Sequence, residues 1–207
     1  MAKCAYCHER KGKRACPALH GEICTSCCGE HRGKEIRCPL DCVYFTPHEA
    51  YQRERVGELF AQEWHRLSEL SHARWGEKGD RLGLVLLLTI YRHFVDQPGA
   101  ADAEVLSGLG QLRKRLSPIY LPQILSTPFG DLLWKDVEAF LKEVPIDATT
   151  GSELLEAYLK MLSDFSGNAL SSNRALRGVV GFVQRNFPQA AESLREKETP
   201  PGRIVRL

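Results

Sequence analysis

Cys4-Ala-Tyr-Cys7, Cys16-Pro-Ala-Leu-His20, Cys24-Thr-Ser-Cys27-Cys28 and Cys38-Pro-Leu-Asp-Cys42 are four short runs that end just before Thr46-Pro47-His48-Glu49. They hold all eight cysteines of the 207-residue chain, and the 165 residues after Cys42 contain none. Around them the chain is dense in Gly, Pro and charge and shows neither helical nor strand periodicity. Its apolar residues, chiefly Tyr6, Leu19, Ile23, Ile36, Leu40, Val43, Tyr44 and Phe45, are too few for a core. A segment this small needs a staple.

The N-terminus, Met-Ala-Lys-Cys-Ala-Tyr-Cys-His-Glu-Arg-Lys, has no apolar run after its first basic residue and does not read as a secretory signal, which predicts a cytoplasmic chain. In a reducing compartment clustered cysteines indicate metal ligation or redox chemistry rather than a disulfide framework. A spacing of two or three residues lets both side chains of a pair reach one Zn²⁺ at about 2.3 Å, and two pairs complete a tetrahedral shell. The four pairs therefore predict two zinc ions, with Cys4, Cys7, Cys16, His20, Cys24, Cys27, Cys28, Cys38 and Cys42 as candidate ligands. Structural zinc contributes on the order of 10–16 kcal/mol of apparent binding free energy in finger peptides, which offsets the missing burial.

The expected connectivity is interleaved. One ion takes Cys4, Cys7, Cys24 and either Cys27 or Cys28; the other takes Cys16, His20, Cys38 and Cys42. A sequential arrangement, with Cys4, Cys7, Cys16 and His20 on one ion, is the alternative. Spacing alone chooses neither between Cys27 and Cys28 nor between His20 and His31.

With pairs in this order, Ile-Cys-Thr-Ser-Cys-Cys at 23–28 and a closing pair spaced by three, residues 4–42 resemble the cross-brace treble-clef fingers of the HIT, MYND and B-box kinds. The likeness matches Cys24 and Cys28 to the third pair of the HIT and MYND pattern, and Cys38 with Cys42 to its closing His-x3-Cys. Ala18 stands where the second pair would carry a cysteine, and Cys38 replaces a histidine. Such fingers mostly mediate protein contacts, so the resemblance implies a docking role. The run from Ile23 to Tyr44 also resembles the opening of uncharacterised bacterial proteins, a likeness that implies no function.

Other zinc chemistries fit less well. His20-Gly-Glu22-Ile-Cys24-x2-Cys27 contains the His-x-Glu and Cys-x2-Cys of zinc deaminases, but those elements need a long intervening segment, and here one residue separates them. Hydrolytic zinc needs an open coordination position or a His-Glu-x2-His helix, and neither His8-Glu9 nor His48-Glu49 continues that way. The spacing His-x3-Cys-x2-Cys is also found in zinc-binding anti-sigma factors, whose thiolates can oxidise and release metal. Pro17, Gly21 and Gly29 suit turns rather than such a helix.

After the cysteines, helical periodicity takes over. Thr46 as N-cap, Pro47 at the first helical position and Glu49 three residues on form a capping box. The helix they open carries Leu59, Phe60, Glu63, Trp64, Leu67, Leu70 and Ala73 as its largely apolar stripe and ends at Gly76 and Gly79. Asp80 caps a second helix to Asp96, apolar on most faces and therefore central. Further helices are predicted over 103–116, 131–144, 152–165 and 173–187, with an irregular connector at 119–130. Trp64, Trp75 and Trp134 read as packing residues, and His65, His72 and His93 as ordinary histidines without acidic partners at metal spacing.

The expectation is an all-α chain: a small irregular two-zinc module over 1–45, a bundle or stacked array of about six helices over 46–190, and a flexible tail over 191–207. The longest apolar stretch, Leu82 to Tyr91, is about half of the roughly 20 residues needed to span a bilayer, which predicts no membrane association. No nucleophile–base set or phosphate-binding glycine loop occurs, which predicts a non-enzymatic adaptor whose partner is another protein. Nucleic-acid binding through Lys11, Lys13, Arg14, Arg32, Lys34 and Arg37 is the first alternative and thiol redox sensing the second. Residues 1–48 carry +3 and the rest −1, but thiolates on zinc cancel most of the excess.

Overall fold

The computed structural model describes residues 2–33, 35–38, 42–97, 99–117, 126–167 and 172–196. Among the described residues the fold is all-α apart from one two-stranded hairpin. The cysteine segment supplies β1 (Arg14–Cys16), β2 (Gly21–Ile23) and the short helix α1 (Thr25–His31). Seven more helices follow: α2 (Thr46–Trp75), α3 (Glu77–Phe94), α4 (Asp102–Leu116), α5 (Pro128–Glu143), α6 (Ala148–Ser166), α7 (Arg174–Asn186) and α8 (Pro188–Glu196). Six of these correspond to the predicted helices. The hairpin, α1 and α8 do not follow from the sequence pattern. Residues 191–196, placed by sequence in the tail, belong to α8, where Ala191 is buried; the rest of the tail lies outside the described residues.

Several boundaries differ from expectation for identifiable reasons. Thr46 is the first residue of α2 rather than its cap, and Phe45 precedes the helix without a side-chain cap bond. The side chains on which the expected capping box rests, Thr46 and Glu49, lie outside the described residues. Gly76, at φ 65°, ends α2, but Gly79 is already inside α3. Asp80 is therefore not a cap: its Oδ2 meets His72 Nδ1 at 2.6 Å, giving that histidine an acidic partner that spacing does not suggest. α5 starts at Pro128 because Thr127 Oγ1 accepts from Gly130 N at 3.0 Å. α6 starts four residues early because Asp147 accepts from Thr150 N at 3.0 Å, a contact that also holds the Asp147 carboxyl below its usual range. Residues 119–125 of the predicted connector lie outside the described residues.

One continuous core joins the helices. α7 is its hub, packing against α2, α3, α4, α6 and α8, with Ala175, Leu176 and the run Gly178–Val183 buried. α3, the helix expected to be central, packs against α2, α5, α7 and α8 through Leu82, Leu86, Leu87, Ile90 and Tyr91. The inward face of α2 is Gly57, Phe60, Leu67 and Ser71, all buried, with Trp64 half-buried beside them. Leu59 and Leu70, both in the predicted stripe, are exposed, as is Ala73. Gly57 takes their place because α2 and α7 nearly touch there: a Cβ on Gly181 would lie 1.9 Å from Arg53 O, and one on Gly57 2.8 Å from Gly181 C.

Asp102 ties α4 to the start of α7. The carboxylate is 2% exposed and accepts from Ser166 Oγ at 2.7 Å, Ala175 N at 3.0 Å and Leu176 N at 2.9 Å. It thus satisfies backbone donors that the first turn of α7 cannot pair within itself. Asp102→Ala strands those donors in the core and should lower stability by about 3 kcal/mol, read as a drop in the urea midpoint of the helical signal.

The N-terminal module rests on this bundle. Asn173 Nδ2 donates to Gly33 O at 3.1 Å, and Phe45, fully buried, fills the space against Gly33, whose φ is 66°. A side chain at Gly33 would both adopt an unfavourable conformation and strike the Phe45 ring, 2.5 Å from the position of its Cβ.

Candidate metal centre

The first ligand loop is folded by its own backbone. Lys3 bridges Lys11, Cys4 N donates to Arg10 O at 2.8 Å, and His8 N donates to Cys4 O at 2.9 Å. These bonds wrap Cys4–Cys7 into a tight knuckle that places His8 at φ 58°. Ala5 N donates to Glu22 O at 2.8 Å and fixes the knuckle against β2. The strand β2 then delivers Cys24 to the start of α1 as its N-cap, with Cys27 in the first turn.

The result is a convergence of four sulfurs. The Sγ atoms of Cys4, Cys7, Cys24 and Cys27 all lie within 4.8 Å of one another. A tetrahedral Zn–S shell at about 2.3 Å requires S···S separations near 3.8 Å, so the four sulfurs need to close by about 1 Å at most. Cys4, Cys24 and Cys27 are buried and no disulfide joins any cysteine. Backbone N–H groups already point at the sulfurs: Cys24 N donates to Cys4 Sγ at 3.2 Å and Cys27 N to Cys24 Sγ at 3.4 Å. Donors of this kind stabilise thiolate over thiol.

The electrostatics fit a cation. Burial raises the Cys4 thiol, but N–H groups of Cys24, Cys7 and Tyr6 outweigh it and bring it down to about 6. Cys7 is lowered by the N–H groups of Arg10 and Glu9. Cys27 is pushed up to about 12 by burial and by the other three sulfurs crowded around it. Four sulfurs at this distance cannot all ionise without a positive partner, and a divalent metal supplies it by displacing the remaining protons. Arg10 is held further toward its charged form by a hydrogen bond to Cys24 and by the charges of Cys24 and Cys27.

The remaining candidates separate cleanly. Cys27 and Cys28 are adjacent on α1 and so point about 100° apart; Cys27 joins the first group and Cys28 turns away from it. Cys16, Cys28, Cys38 and Cys42 line a common small cleft with Ile23, Ile36 and Phe45. Among the described residues, Cys4, Cys7, Cys24 and Cys27 are the one group drawn within 4.8 Å; the second is looser, and residues 39–41, which join two of its members, lie outside the described residues. The sequential arrangement is not the one formed, since Cys24 and Cys27 complete the first group and Cys16 does not enter it.

Neither histidine is placed as a ligand. His20 is exposed at φ 49° in the four-residue turn between β1 and β2, whose register pairs Cys16 with Gly21. Among the described residues His20 enters no group of three or more ligand atoms within 4.8 Å of one another. His31 stacks on Tyr6 at 4.4 Å and its Nδ1 meets Glu35 Oε2 at 3.0 Å. Tyr6 also donates to Glu35, a bond that raises the phenol to about 12. His20→Gly should therefore leave the metal content unchanged and raise the stability of the loaded module by about 0.5 kcal/mol, since glycine adopts this turn without strain. Metal analysis alongside a chelator titration of both proteins checks it.

No family model, no curated protein and no solved structure matches this chain. Among the described residues no helix is long and apolar enough to cross a membrane.

Proposed function

We propose that the N-terminal module is a structural zinc fold, loaded with two ions, that acts as a non-enzymatic docking unit for another protein. The convergence of Cys4, Cys7, Cys24 and Cys27 carries this reading. Four protein sulfurs fill a tetrahedral shell and leave no position for water or substrate, which is how structural zinc differs from catalytic zinc. The donor set favours zinc because thiolates are soft ligands and four of them suit a tetrahedral ion without redox chemistry.

The surface supports a protein partner over a nucleic acid. Of the arginines that sequence offers to phosphates, Arg14 Nη1 donates to Cys28 Sγ at 3.4 Å with its guanidinium 4.8 Å from the Tyr44 ring, and Arg32 Nη1 donates to Tyr44 O at 2.6 Å. Both are engaged inside the module. With four thiolates on each of two zinc ions, its formal charge falls from +3 to about −1, which removes long-range attraction to phosphate. Beside these residues, Val43, 75% exposed, and Tyr51, 56% exposed, offer apolar surface where the module meets α2.

In vivo cross-linking of the full chain tests the proposal. A protein that cross-links through Val43 or Tyr51, and no longer does so when Val43→Asp is introduced, is expected. Salt-sensitive retention of the metal-loaded chain on mixed RNA and DNA, without a protein partner, would put nucleic-acid binding in its place. Zinc release by peroxide at physiological concentrations, accompanied by dissociation of the protein partner, would point to redox sensing.

A further inference from the structure

Once the first site has taken its four sulfurs, four cysteines remain, and they are not scattered. Cys16 ends β1, Cys28 sits on α1, Cys38 follows the bridge between Arg32 and Ile36, and Cys42 lies shortly before α2. Cys16, Cys28 and Cys42 are buried. All four line one cleft of about 10 Å³, closed by Ile23, Ile36 and Phe45. A space of that size admits nothing larger than one water-sized occupant, which excludes an organic ligand and suits an ion.

A second feature is charge: Arg14 Nη1 donates to Cys28 Sγ at 3.4 Å. A tetrathiolate zinc site carries a net charge of about −2, and a guanidinium beside it offsets part of that charge and orients the sulfur.

We propose that Cys16, Cys28, Cys38 and Cys42 bind a second zinc ion, and that this ion clamps the module to the helical domain. The assignment rests on reading the module as a zinc fold, and in the second ligand set it puts Cys28 where spacing suggests His20. The clamp follows from position. Phe45 N donates to Cys42 O at 2.9 Å, Phe45 packs on Gly33, and Gly33 O is held by Asn173. An ion that pulls Cys38 and Cys42 onto Cys16 and Cys28 fixes the segment entering α2, and with it the contact to the start of α7. Without that ion the first site can still form, but the module no longer holds to the bundle.

Zinc analysis and native mass spectrometry of the reduced full chain, with hydrogen exchange on the same samples, test the proposal. Wild type should hold two zinc ions and His20→Ala two. Cys28→Ser and Cys38→Ser should each hold one, with faster exchange at Phe45 and the first turns of α2 and α7 but protection retained at Cys4–Cys7. Cys7→Ser should lose the first ion. One ion in wild type, retained in Cys28→Ser and absent from Cys7→Ser, would overturn the second site and leave the first standing. No ion in wild type would overturn both. Two ions in wild type but one in His20→Ala, or two retained in both Cys28→Ser and Cys38→Ser, would overturn the ligand assignment. The wild-type and His20→Ala counts decide even where a cysteine variant fails to fold.

Discussion

Cys24→Ser should strip the first ion from the N-terminal module, unfold it, and leave most of the helical signal in place. Cys24 is the residue on which that site turns. Its sulfur is one of the four that converge, it accepts from Cys27 N, its own N–H donates to Cys4, and it forms the N-cap of α1. Serine keeps a capping oxygen but offers no thiolate, so the loss falls on the metal and not on the helix start. Structural zinc supplies on the order of 10–16 kcal/mol in small fingers, and a module whose buried cluster consists of Cys4, Cys16, Ile23, Cys24, Cys27, Cys28 and Ile36 has little else to hold it. The helical domain has a separate core that contains none of these residues. Far-UV circular dichroism should therefore fall by little, while the zinc content and the amide protection of residues 4–31 collapse. Loss of the α2–α8 signal in the same variant would mean that the two parts fold as one.

Gly181→Ala should destabilise the helical domain by about 3 kcal/mol, a large effect for one methyl group. The reason is the crossing of α2 and α7. The new Cβ would be placed 1.9 Å from Arg53 O and 3.2 Å from Gly57 Cα, so it meets backbone and cannot be accommodated by a rotamer change. The two helices must separate, which opens the interface that buries Phe60, Phe182 and Val183. In a chain of this length that corresponds to a fall of roughly 10 °C in Tm. Gly110→Ala in α4 is the matched comparison: nothing lies within 4 Å of its Cβ, so the substitution should stabilise by about 0.5–1 kcal/mol through helix propensity. Equal effects at the two positions would show that α2 and α7 do not approach as described.

These glycines mark where the sequence is readable and where it is not. Helix existence is legible because Leu133, Val137, Phe140 and Val144, or Leu155, Tyr158, Leu162 and Phe165, recur at helical spacing and are buried. The inward face of α2 is not, because a face that packs backbone against backbone is written in Gly57 and Ser71, while Leu59 and Leu70 are exposed. α8 is hard to see because Pro188-Gln-Ala-Ala-Glu-Ser offers few apolar residues, though Ala191 and Leu194 still reach the core. Asp80 and Asp147 exchange roles: the residue that reads as a cap pairs with His72, and the other caps α6.

At the candidate metal centre, the convergence of Cys4, Cys7 and Cys24 is the one that spacing suggests for the first ion. The choice of Cys27 over Cys28 depends on their angular separation on α1, a helix that the segment's composition does not announce. His20 draws attention by standing four residues after Cys16, but its left-handed backbone belongs to the four-residue turn that the hairpin register leaves between Cys16 and Gly21. The signal available in the sequence is the position of His20 immediately before Gly21, a pair of residues suited to a tight turn.

Hydrogen exchange on the reduced, full-length protein before and after complete chelation tests most directly whether thiolate-bound zinc substitutes for a core in this module. Amides between Cys4 and His31 should exchange at unfolded rates once the metal is gone, while those of α3 and α7 remain protected. Unchanged protection of β1, β2 and α1 in the metal-free chain would contradict the account.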